Sequence, residues 1–453
     1  MGKILMFVVS EKAIKNFYRY GYERRLLPFH LMCATTNHIA NNYPELRKSI
    51  KFDSNWTSKD TQILHLYFLW KNFFEKRNKA LNYELRNRIL GPYKILTLKN
   101  FYNACKYMKN TFFAINWIFF FKNYKLSNHA LLKVLRENKI IGFGDVDLYK
   151  NIISQNSIEK IIIFTPFRDP KLYDLSEACE LTNCALHVFP ECWDNISSGY
   201  GLPAKISTLH LWSLQQLRDL KRFYPVHVKN TVISGTYRRN YANKYIKNNE
   251  QSRQEIFRIL YLEGYFYEDL DYVFNKIRAA LSIALIDKNI KLIEITVRRY
   301  PLKRQSVDYQ SDENWVGKYK INNVDIVINE SKVPNLASDF INTRLVLSEL
   351  TTAGLEACFR RIPTFFIGCK ASKKYLDSVR GYNYSFAEDL VTEGLFINLS
   401  RKPELNKFAK KLSLLFTLQY ETEQIKFQLS NINFYAEFFD FENWNKLIRN
   451  NSE

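Results

Sequence analysis

Short apolar runs recur along this chain with helix-like segments between them, and this alternation constrains the fold more than any other feature. The runs lie at residues 3–10, 139–143, 160–166, 185–189, 231–234, 258–262, 291–297, 324–328, 345–347, 364–367 and 395–399. Compact apolar runs separated by helical patterns are typical of buried parallel strands in α/β sheets. The sequence therefore predicts an α/β protein.

The polar segment at residues 238–253 (RRNYANKYIKNNEQSR) divides the alternation into two series. A chain of 453 residues also exceeds the size at which one hydrophobic core stops growing. We predict two Rossmann-like, doubly wound parallel-sheet domains facing a cleft, at residues 1–240 and 254–430. A C-terminal helix over residues 431–453 is expected to pack back on the N-terminal domain.

Other segments have the composition of helices. Residues 58–125 are rich in Leu, Phe and Tyr and poor in Gly and Pro, which predicts a helical insertion in the N-terminal domain. Helices are also predicted at residues 208–223, 354–360, 402–416 and 433–449.

The positive charge of the chain is concentrated near its N-terminus. Residues 1–125 hold 22 Lys and Arg against 7 Asp and Glu, whereas the remainder holds 44 against 38. Such a surface attracts nucleic acid, anionic lipid or a phosphorylated substrate, and the alternative is an ordinary solvated basic face. Aromatic residues at 66–74 and 111–125 suit shallow burial at a membrane interface, although a packed helical core explains them slightly better.

The longest apolar stretch, residues 111–121, has about half of the ~20 residues that a membrane-spanning helix needs. The N-terminal apolar run is read as a first strand and not as a signal peptide. We therefore expect a cytoplasmic protein, peripheral at the inner face of the plasma membrane. Seven cysteines without a C-x-x-C pair indicate neither a zinc site nor a disulfide framework.

The most specific motif in the second half is VLSELTTAGLEACFRRIP at residues 346–363, where a strand ends in hydroxyl residues and Gly before a helix. Hydroxyls and backbone N–H groups at a helix N-terminus favour a phosphate, and a carboxylate one turn later can accept hydrogen bonds from a ribose diol. The candidates are Ser348, Thr351, Thr352, Gly354 and Glu356. An ordinary Ser/Thr helix cap is the alternative.

Two further segments supply charged groups. In IEITVRRYPLKR (residues 293–304), Arg298 and Arg299 follow a strand and can hold a diphosphate. In PECWDNISSGYGLP (residues 190–203), Asp194 follows a strand and can serve as a general base toward an acceptor hydroxyl. Asx turns at Asp194 and Asn195 are the alternative for that loop.

These motifs are accompanied by LHLWSLQQLRDL and TVISGTYR. Over about residues 140–370 the chain resembles bacterial surface-carbohydrate (capsule and lipopolysaccharide) biosynthesis proteins of the GT-B glycosyltransferase type, in which such motifs occur in the same order. The resemblance implies a nucleotide-sugar donor held by the C-terminal domain, an acceptor held by the N-terminal domain, and no cofactor or metal. Donor contacts would come from Arg298, Arg299, Ser348, Thr351, Thr352, Gly354 and Glu356.

Asp194 would be the catalytic residue by the same resemblance. The acceptor side of the cleft would be lined by Trp193, Asn195, Ser197, Ser198, Gly199 and His30. The first βα junction lacks a glycine-rich loop, so His30 or His38 is an alternative base. Tyr300 stands where many relatives carry His, and the insertion at residues 58–125 matches no counterpart in the family.

The implied function is transfer of a sugar from a nucleotide sugar to a surface-polysaccharide or lipid-diphosphate-linked acceptor at the anionic inner-membrane surface. A nucleotide-sugar epimerase of the same fold is the alternative enzyme. A non-catalytic partner of a polysaccharide-synthesis complex and a basic nucleic-acid-binding protein are alternatives of other classes. No nucleic-acid partner is expected, because no recognisable binding module accompanies the basic region.

Overall fold

The computed structural model describes residues 3–8, 32–43, 46, 49–75, 109, 115–165, 167, 169–193, 196, 202–203, 205–244, 256–264, 269–286, 290–300, 315–333, 335–369, 390, 394–416 and 419–448. The chain divides into two compact units. The N-terminal unit comprises Met1–Arg238 and Phe434–Glu453, and the C-terminal unit comprises Arg239–Asn433. The last part of the chain thus belongs to the first unit.

The N-terminal unit contains a sheet in which all described strand pairs are parallel. Its order is β3-β2-β1-β4-β5-β6-β7. The strands are β1 Lys3–Val8, β2 Met32–Thr36, β3 Ile50–Phe52, β4 Ile158–Thr165, β5 Ala185–Pro190, β6 Thr208–Leu211 and β7 Thr231–Ile233. The order reverses between β1 and β4, as in a Rossmann-like sheet.

Helices of the N-terminal unit connect these strands. They are α1 Asn37–Asn42, α2 Ser58–Glu75, α3 Trp117–Asn123, α4 Asn128–Glu137, α5 Val146–Gln155, α6 Lys171–Thr182 and α7 Leu214–Phe223. Helix α8 Tyr237–Lys244 begins at the end of this unit and lies mostly in the C-terminal unit. The described parts of the predicted insertion, α2 and α3, lie in sequence between β3 and β4. With α4 they form an aromatic-rich core around Tyr67, Trp70 and Phe120, separate from the cores on the two faces of the sheet.

A buried polar network joins the segments on either side of this insertion to α6. The carboxylate of Asp174 on α6 accepts hydrogen bonds from Arg136, from Trp56 Nε1 at 2.7 Å and from the backbone N–H of Asp145 at 2.7 Å. Asp145 in turn accepts from Tyr149 Oη at 2.9 Å and from Ser54 Oγ at 2.6 Å. The network satisfies the carboxylates that burial would otherwise penalise.

The C-terminal segment of the chain docks on the N-terminal sheet. Residues 434–440 run beside the ends of β6 and β7, where the Glu437 N–H donates to the Trp212 carbonyl and the Thr236 N–H donates to the Glu437 carbonyl, both at 2.9 Å. Helix α14 (Phe441–Ile448) then places Trp444 in a core with residues of β1, β4 and β5. Gly235, with φ +70°, lets the two backbones approach closely.

The C-terminal unit contains a second sheet, of order β10-β11-β9-β8-β12-β13-β14. All described pairs are parallel except β10 with β11. The strands are β8 Ile256–Leu262, β9 Leu292–Arg298, β10 Gly317–Ile321, β11 Val324–Glu330, β12 Leu345–Ser348, β13 Thr364–Gly368 and β14 Phe396–Asn398. The order reverses between β8 and β12.

Helices α9 Leu270–Ala284, α10 Leu336–Asp339, α11 Thr352–Phe359, α12 Lys402–Leu415 and α13 Gln419–Ile432 belong to this unit. Buried residues of α9 and α12 share one core with the central strands, whereas α11 contributes to a second apolar cluster with β8 and β12. The predicted class, two doubly wound parallel-sheet α/β domains, is confirmed.

Several local predictions were wrong. Residues 139–143, predicted as a strand, form a turn and loop after α4, and Lys139 has φ +56°. Residues 208–223 hold a strand and a helix, because the apolar run that ends at Leu211 is buried in the sheet. The predicted linker begins with helix α8, and residues 433–440 precede the last helix instead of forming its first turns.

Candidate functional site

The carboxyl edge of the C-terminal sheet is the place where the predicted donor residues converge. Leu262 of β8 pairs in register with Arg298 of β9 on one side and with Ser348 of β12 on the other. The three strands therefore end in one row, and this row lies where the strand order reverses. In open α/β sheets such a switch point is where ligands bind.

The loop from β12 to α11 is organised by hydroxyl groups. Thr351 is the N-cap of α11, and its Oγ1 accepts a hydrogen bond from the Gly354 N–H at 3.0 Å. Ser348 Oγ lies 3.0 Å from Thr351 Oγ1 and donates to the Glu349 carbonyl at 2.6 Å. The loop is thus a pre-organised helix N-terminus, the kind of site that favours an anion.

Gly354 permits this packing. A Cβ at that position would lie 2.5 Å from Ser348 Oγ and 2.6 Å from a ring carbon of Phe366. Thr352 begins α11 and is half-buried. The structure therefore brings Ser348, Thr351, Thr352 and Gly354 together, as the motif predicts, while their roles toward a donor stay predictions.

Arg299 is buried and held by a carboxylate from the neighbouring strand end. Its Nε donates to Glu263 Oε2 at 3.0 Å, and the Tyr300 N–H donates to the same oxygen at 2.9 Å. The guanidinium also lies over the ring of Trp315, 5.7 Å from its centroid. The hydrogen bond to this buried carboxylate, which the Tyr300 N–H also contacts, fixes the direction in which the arginine points.

Arg298 has a different environment. Its Nη1 donates to Asp339 Oδ2 at 2.5 Å and to the Val333 carbonyl at 3.1 Å, and Asp339 Oδ1 accepts from Ser331 Oγ at 2.7 Å. The predicted diphosphate arginine is therefore already engaged by α10 and the β11–α10 loop. Of the two arginines, Arg299 is the one whose side chain contacts the residue that follows β8, Glu263.

Glu356 forms an ion pair within its own helix. Arg360 Nη2 donates to Glu356 Oε1 at 3.1 Å, and both side chains are buried. The Arg360 guanidinium also lies 4.9 Å from the ring centroid of Phe340 and 5.6 Å from that of Tyr241. The pair engages one of the two carboxylate oxygens of Glu356, and the role of this residue toward a ribose stays a prediction.

Sequence reasoning missed two buried carboxylates at this edge, Glu263 and Glu349. Glu349 Oε1 accepts a hydrogen bond from Tyr261 Oη at 2.8 Å. Burial, together with this nearby carboxylate, raises the pKa of Tyr261. Gly264 has no side chain where a Cβ would meet Glu349 Oε2 at 2.9 Å. An acidic residue directly after a buried strand, as in LYLEG and LVLSE, is the signal that would have found both.

The predicted acceptor side lies in the N-terminal unit, and much of it falls outside the described residues. Asp194, Asn195, Ser197, Ser198, Gly199 and His30 are in this group. Trp193 is buried, packs edge-on against Tyr435 at 5.4 Å between ring centroids, and its carbonyl accepts from Gln216 Nε2 at 3.2 Å. His38, the alternative base, is exposed on α1.

A hydrogen-bonded chain of two histidines and a serine crosses the N-terminal sheet. His187 Nδ1 lies 3.2 Å from His210 Nε2, and His210 Nδ1 lies 2.7 Å from Ser234 Oγ. Burial lowers the pKa of His187 to about 4 and that of His210 to about 3. Both imidazoles are therefore neutral at pH 7. The Phe189 ring stacks on that of His210, with 4.0 Å between the ring centroids.

Among the residues that the structure describes, no group of three or more His, Cys, Asp or Glu side chains is placed to hold a metal ion. No described helix combines the length and apolar character needed to cross a bilayer.

The two doubly wound units define the class to which this fold belongs, the architecture of GT-B proteins. Solved structures share it over nearly the whole chain. UDP-GlcNAc 2-epimerase from Neisseria meningitidis bound to UDP-GlcNAc is 10% identical with a TM-score of 0.50, and the match covers 99% of this chain and 100% of that one. The resemblance to GT-B proteins is thus confirmed at the level of the fold.

Two other solved structures match with lower scores. MurG from Acinetobacter baumannii is 9% identical with a TM-score of 0.47, covering 98% of this chain and 99% of that one. S. aureus MnaA in a co-structure with UDP is 10% identical with a TM-score of 0.46, covering 99% and 98%. No protein-family model and no curated protein sequence matches the chain.

Proposed function

We propose that this protein is a glycosyltransferase that moves a sugar from a nucleotide sugar to a hydroxyl of a surface polysaccharide or lipid-linked glycan. One observation carries the proposal. At the switch point of the C-terminal sheet, a hydroxyl-capped helix N-terminus lies in the same row of strand ends as a buried, carboxylate-oriented arginine. This combination suits a diphosphate.

The donor would bind along that row. The N-terminus of α11 and Arg299 would stabilise the diphosphate, and Glu356 would accept hydrogen bonds from the ribose. Charge develops on the diphosphate as the bond to the sugar breaks, so groups fixed beforehand stabilise the transition state without reorganising. Glu263 contributes by holding Arg299 in place.

The reaction itself would require a base from the N-terminal unit. Asp194, by the resemblance, would take the proton of the acceptor hydroxyl while the hydroxyl oxygen bonds to the anomeric carbon of the donor sugar. The bond between that carbon and the diphosphate breaks, and the nucleoside diphosphate leaves with the electron pair. We propose that no metal or other cofactor takes part.

The acceptor is proposed to be a glycan linked to a lipid diphosphate at the inner face of the plasma membrane. The support is the charge distribution, since residues 1–125 hold 22 basic against 7 acidic residues. A basic surface is drawn to the anionic lipids of that leaflet.

A nucleotide-sugar 2-epimerase is the second candidate. The observation in its favour is that the solved structure with the TM-score of 0.50 is a UDP-GlcNAc 2-epimerase bound to UDP-GlcNAc. An epimerase forms its product from the nucleotide sugar alone. Incubation of the protein with nucleotide sugars in the absence of acceptor, followed by NMR, therefore separates the two activities.

Nucleotide binding is tested first by the thermal unfolding of the purified protein with UDP, GDP, CDP, CMP or ADP, with and without Mg²⁺. A ligand present at about 100 times its dissociation constant stabilises the folded state by about 2.7 kcal/mol. Stabilisation by one nucleotide without Mg²⁺ is the expected result, and stabilisation by none of them would contradict the proposal.

The variant Glu356→Ala should lose that stabilisation. Its control is Glu421→Ala, which removes a half-buried glutamate from another ion pair of the same unit, with Arg344 at 3.6 Å. The control should unfold at a lower temperature yet retain the shift with nucleotide. Equal loss in both variants would mean that Glu356 acts only through folding.

A further inference from the structure

The outward face of α3 carries apolar side chains in contact with solvent. Ile118 is 87% exposed, Phe121 is 51% exposed, and Phe74 at the end of α2 is 37% exposed. Ile118 and Phe121 are three residues apart and so share one face of the helix. The Phe74 ring lies 5.3 Å from the Phe121 ring. These three side chains are called the α3 patch below.

The opposite face of α3 fixes the patch in this orientation. Phe120 is fully buried with its ring 5.7 Å from that of Tyr67, and the Trp117 ring lies 5.2 Å from that of Trp70. The helix is also capped by Asn116, whose Oδ1 accepts from the Phe119 N–H at 3.0 Å. Since the inward face is already packed, Ile118 and Phe121 are held outward.

Two exposed lysines lie beside the patch. Lys122 and Lys125 are exposed, and Lys122 is one turn from Ile118 on the same face. Residues 115–136 contain Lys122, Lys125, Lys133 and Arg136 and no Asp or Glu, and residues 71–125 hold 12 Lys and Arg against 2 Glu. An exposed apolar cluster with two exposed lysines, beside a Glu75 that is already paired with Lys71, matches the chemistry of an anionic lipid surface.

We infer that the α3 patch docks this protein on an anionic bilayer surface, with Ile118 and Phe121 buried at the level of the headgroups. The lysines keep their ammonium groups at the phosphates while their apolar stems follow the interface. The inference deepens the proposed function, because it names the surface that would meet a membrane carrying a lipid-linked acceptor.

Charge argues against a second copy of this chain as the occupant. A two-fold contact places the same patch of both copies face to face. Lys122 and Lys125 of each copy would then oppose those of the other, which is unfavourable. The remaining candidate for this surface is an acidic protein, which the experiment below distinguishes from an anionic membrane.

The test is sedimentation of the full chain with vesicles of phosphatidylcholine alone or mixed with phosphatidylglycerol. The protein should bind only the mixed vesicles, and less at high salt. Ile118→Gln with Phe121→Gln should weaken binding about tenfold or more, and Lys122→Gln with Lys125→Gln about fivefold for each lysine. The matched control is Ile341→Gln, a 67%-exposed isoleucine of the C-terminal unit, which should bind like the parent protein.

Three results would overturn the inference. They are absence of binding to mixed vesicles, equal binding to phosphatidylcholine alone, and full binding by the Ile118/Phe121 variant. Concentration-dependent self-association that the Ile118/Phe121 variant abolishes, without vesicle binding, would assign the patch to a contact between copies. Failure to bind vesicles, with capture of an acidic protein that depends on Ile118, would assign it to that partner.

Nucleotide-induced thermal stabilisation, measured on the same variants, separates this inference from the proposed function. It should be unchanged in the Ile118/Phe121 variant. Vesicle binding that depends on the patch without any nucleotide shift would support the docking surface and contradict the transferase. A nucleotide shift without vesicle binding would support the nucleotide-binding part of the proposed function and contradict the docking surface.

Discussion

Glu263 and Arg299 form a buried ion pair across the ends of two neighbouring strands, with Arg299 Nε 3.0 Å from Glu263 Oε2. The same oxygen accepts the Tyr300 N–H, so the carboxylate holds both the side chain and the backbone of the β9 end. Neither partner can be removed without leaving the other buried and charged. The pair thus links the stability of this edge to the position of its arginine.

Replacing Glu263 with Ala should lower the free energy of unfolding by about 3–5 kcal/mol, because a buried guanidinium loses its counter-ion. Glu263→Gln keeps the shape and should weaken binding of the stabilising nucleotide about tenfold by releasing Arg299. Urea unfolding and calorimetric titration measure the two effects. Glu294→Gln, at the half-exposed pair with Arg258, is the control and should cost less than about 1 kcal/mol.

Gly235→Ala should loosen the docking of the C-terminal segment. The new Cβ would lie 2.0 Å from the Phe438 carbonyl oxygen, and the backbone there has φ +70°. Gly394→Ala is a matched control with φ +72° but only the tip of Lys407 nearby, at 3.9 Å. The control substitution should lower the free energy of unfolding by about 1 kcal/mol through backbone strain. Gly235→Ala should lower it clearly more.

Limited proteolysis reports on the same change. Gly235→Ala should expose residues 434–453 to cleavage at protease concentrations that leave the Gly394→Ala protein intact. Equal stability and equal cleavage of the two variants would show that the close backbone approach does not hold the segment.

Asp174→Ala should destabilise the N-terminal unit by about 3–5 kcal/mol. The substitution leaves Arg136, Trp56 Nε1 and the Asp145 N–H without their common acceptor in a buried setting. Glu177→Ala removes the partly exposed carboxylate that lies 3.8 Å from the same arginine, and should cost less than about 1 kcal/mol. Similar costs for both variants, measured by denaturant unfolding, would contradict the network.

The stability of the N-terminal unit should fall between pH 6.5 and 5. His187 and His210 have pKa values of about 4 and about 3 in the folded protein, below the ordinary 6.5. The unfolded chain therefore takes up protons at these side chains as the pH falls below 6.5, while the folded protein does not. At pH 5 each histidine should lower the free energy of unfolding by about 2 kcal/mol relative to neutral pH, at 1.36 kcal/mol per pKa unit.

Unfolding free energies at pH 6.5 and 5, for the parent protein and for His210→Gln, measure this dependence. The variant lacks one titrating group, so its decrease should be clearly smaller. An unchanged decrease would show that the histidine chain does not contribute to the pH dependence.

Much of the C-terminal unit was predictable from sequence, because its strands are continuous apolar runs. The runs near residues 258–262, 291–297 and 364–367 became β8, β9 and β13 with shifts of a few residues. Strands β2, β3 and β10 were missed because they are short or alternate in burial, which local pattern does not separate from loops.

The hydroxyl-rich loop of the candidate site was predictable from the sequence, whereas its buried carboxylates were not. Ser348, Thr351 and Gly354 form a local motif whose hydrogen bonds span only a few residues. Glu263 meets Arg299 from 36 positions away, and Tyr261 meets Glu349 from 88 positions away. Only pairing in the sheet decides such contacts.

The sequence by itself determined the α/β class, most strands and the N-terminus of α11, because apolar periodicity and capping act over a few residues. The tertiary structure decided the row that joins Arg298, Leu262 and Ser348, the engagement of Arg298 by Asp339, and the backbone hydrogen bonds that hold residues 434–440 beside β6 and β7. These depend on strand order and on contacts between distant segments, which form only when the whole sheet is assembled.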